Sequence, residues 1–419
     1  MWILFFSGIM LLHLSCNNPK SGDERHDSLD RLNWSEKNHM VLNQMINDYG
    51  TGGKYYQEGE TPYIVLDWDQ TCAHFDVEEA LMRYQLFNLH FKMTEGQFRN
   101  ILKDTINGVT HLSENHDKIG LASLNADLMA GYAFLQDNYF GFHGKKTLED
   151  IKATAQYKDF IAKFLFLADG YLDTSGIGMG YTYLWELYLL TGFNIEEVKS
   201  MAKEAISFEL ASQIGKQTLN SPSGLKTSAG ALTCSYNSGL RVFPEMQDLI
   251  ATCKRHGIDV YIVSASYKPV VEVFSGIGNF GYNVDSDHVI GMELEIGAEG
   301  KIIPEYKKGW AMTVGQGKVE AIDKVIKSHP GKNHDPLFAA GDSDGDYEML
   351  TKFPEMKLAL IWNRVRKGKI GTLCKQAIEE MENPEPRYIL QGRNENTGMV
   401  IPGSETILLG KKQPELIHP

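Results

Sequence analysis

The chain has 419 residues, of which 42% are hydrophobic and 23% charged. This composition is typical of a globular protein and excludes a chain that is disordered, collagen-like or coiled-coil throughout. The formal net charge of −13 argues against a nucleic-acid partner, because a nucleic-acid-binding surface needs clustered lysine and arginine. The length predicts either one large domain with an insertion or two domains.

The start of the chain differs from the rest. Residues 2–14 are almost entirely apolar, which is too short for a membrane-spanning helix but matches the apolar core of a signal peptide. The segment ends in LHLSC, which resembles a bacterial lipobox in which Cys16 would carry the lipid. We therefore predict a lipoprotein signal peptide over residues 1–16, anchored to a membrane of the bacterial cell envelope. A buried N-terminal helix or strand is the alternative.

A polar tether is predicted over residues 17–35, within an N-terminal segment that extends to residue 60. The remaining cysteines show no CxxC spacing, which excludes a zinc ribbon and a thioredoxin motif. Disulfides and buried thiols both stay open for them. These cysteines are Cys72, Cys234, Cys253 and Cys374.

The next elements predict a sheet interrupted by helices. Tyr63–Leu66 is an unbroken apolar run, which favours a parallel strand covered on both faces. A helical period then replaces it, with helices predicted at residues 77–89, 94–105, 121–139, 148–168 and 195–213. Further strands are predicted at residues 258–263, 337–340 and 358–362, with helices at 244–256 and 318–328.

Strands that alternate with helices indicate a doubly wound α/β parallel sheet. The helical block lies directly after the first strand, so we predict that it is a large cap inserted into the α/β core. The predicted boundaries are 61–76 for the first part of the core, 77–239 for the cap and 240–419 for the second part of the core.

Three polar segments follow predicted strands. They are Asp67-Trp68-Asp69-Gln70-Thr71, Ser264-Ala265-Ser266 and Gly341-Asp342-Ser343-Asp344-Gly345-Asp346. The carboxyl ends of parallel strands share the sheet edge at which ligands bind, so these segments are expected to meet. Two carboxylates two residues apart can divide phosphoryl transfer between attack on phosphorus and proton transfer. Carboxylates of the third segment suit Mg²⁺. Three coincidental acidic turns are the alternative.

These segments resemble the signatures of the haloacid dehalogenase-like superfamily of phosphatases. Its DxDxT, Ser, Lys and GDxxxD signatures match residues 67–71, Ser264, Lys318 and residues 341–346. Lys318 is preferred to Lys307 and Lys308 because residues 317–322 resemble the GKxxxI of members like phosphoserine phosphatase.

The resemblance implies a role for each residue. Asp67 would form an aspartyl-phosphate, Asp69 would act as acid and base, and Ser264 and Lys318 would neutralise the phosphoryl oxygens. The Mg²⁺ would be held by Asp67, Asp69 and Asp342, with support from Asp346. The implied activity is hydrolysis of a small phosphomonoester. There are two alternatives. One is a phosphotransferase or phosphomutase of the superfamily, and the other is a non-catalytic envelope lipoprotein on the same scaffold.

Residues 65–81 and QGRNENTG at residues 391–398 resemble the phosphorylcholine phosphatase group, which implies phosphocholine or a similar small amine phosphate as substrate. Asp76 stands where phosphoserine phosphatases carry a Glu that meets the substrate amine. Trp68 and Ser266 are the other expected substrate-binding residues, and Trp68, Phe75 and residues 181–185 would offer aromatic faces to a quaternary ammonium. A helix N-cap at Asp76 and ordinary packing of the aromatics are the alternatives.

Overall fold

The N-terminal part of the folded chain packs against the core. The computed structural model describes residues 28–417, so the predicted signal peptide and Cys16 lie outside the described residues. Leu29 and Trp34 are 2% and 0% exposed, which makes the predicted tether wrong from Leu29 onward. α1 (Glu36–Tyr49) begins after Ser35, whose side chain accepts a hydrogen bond from Asn38 N. Within the described part of the chain, no helix is long and apolar enough to cross a bilayer.

The other elements follow in chain order. After α1 come β1 (Tyr63–Leu66) and β2 (Ala73–His74). The insert contains α2 (Val77–Phe87), α3 (Glu95–Ile101), α4 (Leu121–Asn138), α5 (Leu148–Lys152), α6 (Ala155–Asp173), α7 (Met179–Tyr188), α8 (Ile195–Ala211), β3 (Gly215–Asn220) and β4 (Thr233–Ser238). The chain continues through β5 (Arg241–Val242), α9 (Pro244–Arg255), β6 (Asp259–Tyr267), α10 (Lys268–Ser275), β7 (Val289–Met292), β8 (Leu294–Ile296) and β9 (Ile302–Tyr306). It ends with α11 (Gln316–Ala321), β10 (Phe338–Gly341), α12 (Tyr347–Thr351), β11 (Leu358–Trp362), α13 (Lys369–Glu379), β12 (Tyr388–Gln391), β13 (Arg393–Asn394) and β14 (Met399–Val400).

Six strands form the central sheet in the order β12-β11-β10-β1-β6-β7, and every pairing is parallel. Successive side chains of β1 point to opposite faces, so Ile64 and Leu66 join one apolar cluster while Tyr63 and Val65 join another. Both faces are therefore covered, as an unbroken apolar strand requires. The predicted doubly wound α/β parallel sheet is confirmed.

The insert α2–β4, called the cap below, has an apolar core of its own. Phe98 stacks on Tyr132 with ring centroids 4.2 Å apart, inside a cluster separate from those of the sheet. The cap joins the core through β2 and β5, which pair antiparallel. The helix predicted at residues 148–168 is two helices, because Thr154 caps a new one by accepting a hydrogen bond from Tyr157 N.

Other predictions needed smaller corrections. The strands β7 and β12 were not predicted, and the helix expected at residues 318–328 begins at Gln316 and continues as a π-helical turn over Ile322–Ile326. Disulfides and buried thiols were both open for the four cysteines. Within the described residues they are buried free thiols: Cys72, Cys234, Cys253 and Cys374.

Candidate active site

A lysine joins two of the three polar segments at the carboxyl edge of the sheet. Lys318, on the first turn of α11, places its Nζ 2.6 Å from Oδ1 of Asp67 and 2.6 Å from Oδ1 of Asp346. Thr71 Oγ1 donates to the other carboxylate oxygen of Asp67 at 2.9 Å. Lys318 is 1% exposed and Asp67 is 6% exposed, so the two charges meet inside the protein.

The same site holds a cluster of carboxylates. One oxygen each of Asp67, Asp342 and Asp346 lie within 4.8 Å of one another. Oδ2 of Asp346 accepts hydrogen bonds from the backbone N–H groups of Asp342 and Ser343 at 3.0 and 3.1 Å. Both oxygens of Asp346 accept hydrogen bonds, so this residue also orients Lys318 and the loop. Carboxylate oxygens in this arrangement suit a hard divalent cation.

Asp69 is held on both of its carboxylate oxygens. Oδ1 accepts from the backbone N–H of Val77 at 2.7 Å, and Oδ2 accepts from Ser266 Oγ at 2.6 Å. Ser264 is the first residue of the Ser-Ala-Ser segment, and its Oγ accepts a hydrogen bond from Ser266 N at 3.1 Å. The predicted residues Asp69, Ser264 and Ser266 therefore line one cavity together with Asp67 and Lys318.

Burial controls the protonation of these groups. It raises the pKa of the Asp67 carboxyl to about 8, an effect that Asp346 reinforces and Lys318 opposes. Burial and the neighbouring Asp76 also hold the pKa of Asp69 well above its ordinary value. For Lys318, burial lowers the pKa, but the charges of Asp346 and Asp67 outweigh it and the net shift is upward. Lys318 is therefore held as a cation that favours the ionised form of Asp67, whereas burial favours the protonated form of Asp69.

Asp76 lines the cavity and does not cap α2 with its side chain. Its Oδ2 accepts from Gln70 Nε2 at 2.8 Å. The fully buried Arg393 holds the same glutamine, through Oε1 at 2.6 Å and the backbone carbonyl at 2.7 Å. The late segment 391–398 is therefore in direct contact with the loop that follows β1. Gln70 itself has a φ of +65°, which this double contact stabilises.

The cap side of the cavity forms a strongly acidic wall, which was not predicted from the sequence. Glu78, Glu79 and Glu186 line it beside Asp76. Glu186 is 8% exposed and its carboxylate has no hydrogen-bond or ion-pair partner among residues 28–417. Burial and the nearby Glu79, Glu78 and Asp76 keep the pKa of Glu186 well above its ordinary value. Burial also raises the pKa of Glu78 to about 7.

Two arginines that were not predicted reach the cavity from the core side. Arg364 and Arg366 follow β11 and are among the residues that line the cavity. Arg364 NH1 donates to Oδ2 of Asp342 at 2.5 Å. Burial raises the pKa of the Asp342 carboxyl, and the charges of Arg364 and Arg366 oppose that shift. Their position after a parallel strand was the one signal that could have indicated them.

Trp68 does not reach the cavity, so its prediction as a substrate-binding residue is wrong. Its ring is 0% exposed and packs edge-on against Tyr282 and Phe274, with centroids 4.8 and 5.2 Å away. Asp67 and Asp69 on either side of Trp68 face the cavity, so the extended backbone turns Trp68 towards the core. Trp185 is likewise buried against Phe164 in the cap.

The cavity has a volume of about 190 Å³. Of the aromatic residues expected to meet a substrate, Tyr183 alone is among its lining residues. Pockets for drug-sized ligands span ~300–1,000 Å³, so this cavity suits a small substrate.

A family match supports the class of fold described above. Residues 225–351, which contain Ser264, Lys318 and the Asp342–Asp346 segment, match the haloacid dehalogenase-like hydrolase family. Together with the parallel sheet, this match shows that the α/β core is haloacid dehalogenase-like.

A solved structure from Anaerococcus prevotii DSM 20548, described as a conserved functionally unknown protein, is 31% identical to this chain with a TM-score of 0.83. The alignment covers 92% of this chain and 99% of that one. The chain therefore belongs to the same family as the Anaerococcus protein. No curated protein matches the chain.

More distant structures are also similar. A Bordetella pertussis Tohama I protein of unknown function is 11% identical over 79% of this chain and 98% of its own, with a TM-score of 0.40. A phosphoserine phosphohydrolase-like protein from Francisella tularensis SCHU S4 is 12% identical over 72% of this chain and 87% of its own, with a TM-score of 0.31. At these scores neither structure supports a conclusion about function.

Proposed function

We propose that this protein is a Mg²⁺-dependent phosphomonoester hydrolase that works through an aspartyl-phosphate on Asp67 and prefers a small amine phosphate such as phosphocholine. The observation that carries the proposal is the contact of Lys318 with both Asp67 and Asp346, at 2.6 Å each, beside Asp69 in one cavity. A nucleophilic carboxylate, a permanent cation and a second carboxyl group able to hold a proton are the groups that this reaction needs.

The reaction proceeds in two displacements. A carboxylate oxygen of Asp67 forms a bond to phosphorus while the ester P–O bond breaks, and Asp69 donates its proton to the leaving alkoxide. Water then attacks the phosphorus of the aspartyl-phosphate and gives a proton to Asp69. The bond between phosphorus and the Asp67 oxygen breaks, so inorganic phosphate is released and the Asp67 carboxylate is restored. The raised pKa of Asp69 supports its first role, because the group must be protonated when the alcohol leaves.

Lys318 and Ser264 would stabilise the negative charge of the phosphoryl oxygens. The carboxylates of Asp67 and Asp342 and the backbone carbonyl of Asp69 would hold the Mg²⁺. When bound, the ion adds positive charge at the phosphoryl oxygens. The all-oxygen donor set of Asp67, Asp342 and Asp346 fits this ion.

The acidic wall of the cap supports an amine phosphate. Asp76, Glu78 and Glu186 line the cavity, and Glu186 forms no ion pair within residues 28–417, where Arg83 is the cation that opposes the rise of its pKa. A substrate ammonium would add positive charge beside these carboxylates, and Tyr183 would offer it a ring face.

Phosphocholine and its neutral carbon isostere, 3,3-dimethylbutyl phosphate, test the proposal because they differ in the charge of one atom. We expect Mg²⁺-dependent release of phosphate from both, with a kcat/KM at least ~10-fold higher for phosphocholine, and we expect Glu186→Gln to narrow that ratio. Equal rates for the two esters would exclude the amine preference. No phosphate release from any small monoester would exclude the hydrolase itself.

Anchoring to the cell envelope through Cys16 forms part of the same proposal and is supported by the lipobox resemblance of LHLSC. Metabolic labelling with a radioactive fatty acid tests it. The full chain should incorporate the label and the Cys16→Ser variant should not. Equal labelling of the two would contradict the anchor.

A further inference from the structure

The turn after β11 has a backbone conformation that its sequence does not favour. Val365, between Arg364 and Arg366, has a φ of +53°. This left-handed region is rare for non-glycine residues and most unfavourable for β-branched ones. Such a residue persists only where its surroundings impose the conformation, and such sites cluster at ligand-binding positions.

The surroundings of the turn do impose it. Asn363 is fully buried, and its Nδ2 donates to the carbonyl of Ser404 at 2.7 Å. Oδ1 of Asn363 accepts from Val365 N at 2.9 Å, which closes the turn. On the other side, the hydrogen bond from Arg364 to Asp342 fixes the turn to the active site. The chain therefore reverses beside Asp342 of the candidate active site.

The consequence of the reversal is that Arg364 and Arg366 both line the catalytic cavity. Arg364 already donates a hydrogen bond to Asp342. Arg366, by contrast, is exposed and has no hydrogen-bond or ion-pair partner within residues 28–417. A guanidinium that stays unpaired at the mouth of a cavity rich in carboxylates is available to an incoming anion. The next residue, Lys367, is also exposed but does not line the cavity.

We propose that Arg366 is a phosphate-binding residue whose guanidinium contacts the non-bridging oxygens of the substrate's phosphoryl group, opposite Lys318. The inference rests on the proposed function and adds to it a residue outside the four matched signatures. A guanidinium binds phosphate oxygens in pairs, which a single lysine cannot do. The added positive charge also offsets the repulsion that the acidic cap wall exerts on an approaching phosphate.

Calorimetric binding of inorganic phosphate to the Mg²⁺-saturated full chain tests the proposal without turnover. We expect Arg366→Gln to weaken phosphate binding at least ~10-fold, as the loss of a charge-assisted hydrogen bond predicts. Lys367→Gln removes the same charge one residue away and should leave the affinity unchanged. In steady-state kinetics Arg366→Gln should raise KM equally for phosphocholine and its neutral isostere, because the contact is to the group they share.

Unchanged phosphate affinity in Arg366→Gln would overturn the proposal. So would an effect confined to esters with a second anionic group, such as phosphoserine, because Arg366 would then bind that group. A wild-type chain that binds no phosphate would overturn it as well. If phosphate binds and responds to Arg366→Gln while no ester is hydrolysed, the proposed hydrolase fails and the assignment of Arg366 stands.

Discussion

The backbone N–H of Val77 donates a 2.7 Å hydrogen bond to Oδ1 of Asp69, so the candidate acid/base residue also holds the first turn of the first cap helix. Asp76, which directly precedes that helix, leaves its carboxylate free for Gln70 and the cavity. A single carboxyl group thereby connects the proposed proton transfer in the core with the position at which the cap begins.

Substitutions of Asp69 should separate these two roles. Asn retains an oxygen for Val77 N, so Asp69→Asn should unfold at the same urea concentration as the wild type, while Asp69→Ala should lose ~1 kcal/mol of stability. Both variants should lose at least ~100-fold in kcat on esters with a poor leaving group, because neither can donate a proton. Equal stability of the two variants would show that the Val77 contact contributes nothing.

Lys318 should be essential for stability as well as for activity. Lys318→Met leaves the buried carboxylates of Asp67 and Asp346 without their common partner, which should cost ~3–5 kcal/mol of the free energy of unfolding at neutral pH. Urea unfolding without metal measures this loss. Lys352→Met, which removes an exposed lysine, is the matched control. A Lys318→Met protein as stable as this control would contradict the account.

The acidic wall predicts a particular dependence of stability on pH. The pKa of Glu78 is about 7 in the folded protein and that of Glu186 is also raised, so the folded state keeps protons that the unfolded chain loses above its ordinary pKa near 4.5. The unfolded state then binds fewer protons, and these groups lower the free energy of unfolding as pH rises from about 4.5 to about 7.

Glu186→Gln should reduce the fall in the free energy of unfolding that accompanies rising pH. Relative to the wild type, the metal-free variant should gain stability progressively as the pH rises above about 4.5 and differ little at pH ~4, where Glu186 is largely protonated in the folded and unfolded states. Glu58→Gln, at an exposed position outside the cavity, should show no such trend. A difference between Glu186→Gln and the wild type that does not change with pH would contradict the assignment of Glu186 as an unpaired buried carboxyl.

Gly341 should tolerate no side chain. A Cβ at this position would lie 2.5 Å from Cβ and 2.7 Å from Cγ of Asp346. Gly341→Ala must therefore displace Asp346 and, with it, Lys318, so we expect a loss of at least ~10-fold in kcat. Gly224→Ala has open space around its added methyl group and should retain full activity. Full activity in Gly341→Ala would show that the position of Asp346 is not critical.

The sheet and much of the site follow from local sequence signals. Asp67, Ser264 and Asp342 could be predicted because each comes at or near the carboxyl end of an apolar parallel strand, and sheet geometry alone brings such ends together. Of the two missed strands, β7 contains Gly291 and β12 follows a proline-containing loop, so their patterns are weaker than that of the equally short β1. The burial of Trp68 was predictable in principle, since residues on either side of it face the cavity.

Glu186 and Arg366 could not be found in this way. Glu186 lies on α7 of the cap, and it reaches the cavity only because the cap packs over the sheet edge. Arg366 depends on the left-handed backbone of Val365, which contacts distant in sequence impose and no local pattern encodes. Tertiary packing rather than spacing places both residues.

The central claim is that a phosphoryl group is transferred to Asp67, and pre-steady-state hydrolysis of p-nitrophenyl phosphate by the Asp69→Asn variant tests it most directly. The p-nitrophenolate leaves without a proton, so the phosphoenzyme should form normally, whereas its hydrolysis should be slow without the base. We predict a burst of one p-nitrophenolate per protein molecule, with the phosphoryl group found by mass spectrometry on Asp67. No burst, or a phosphoryl group on another residue, would contradict the account.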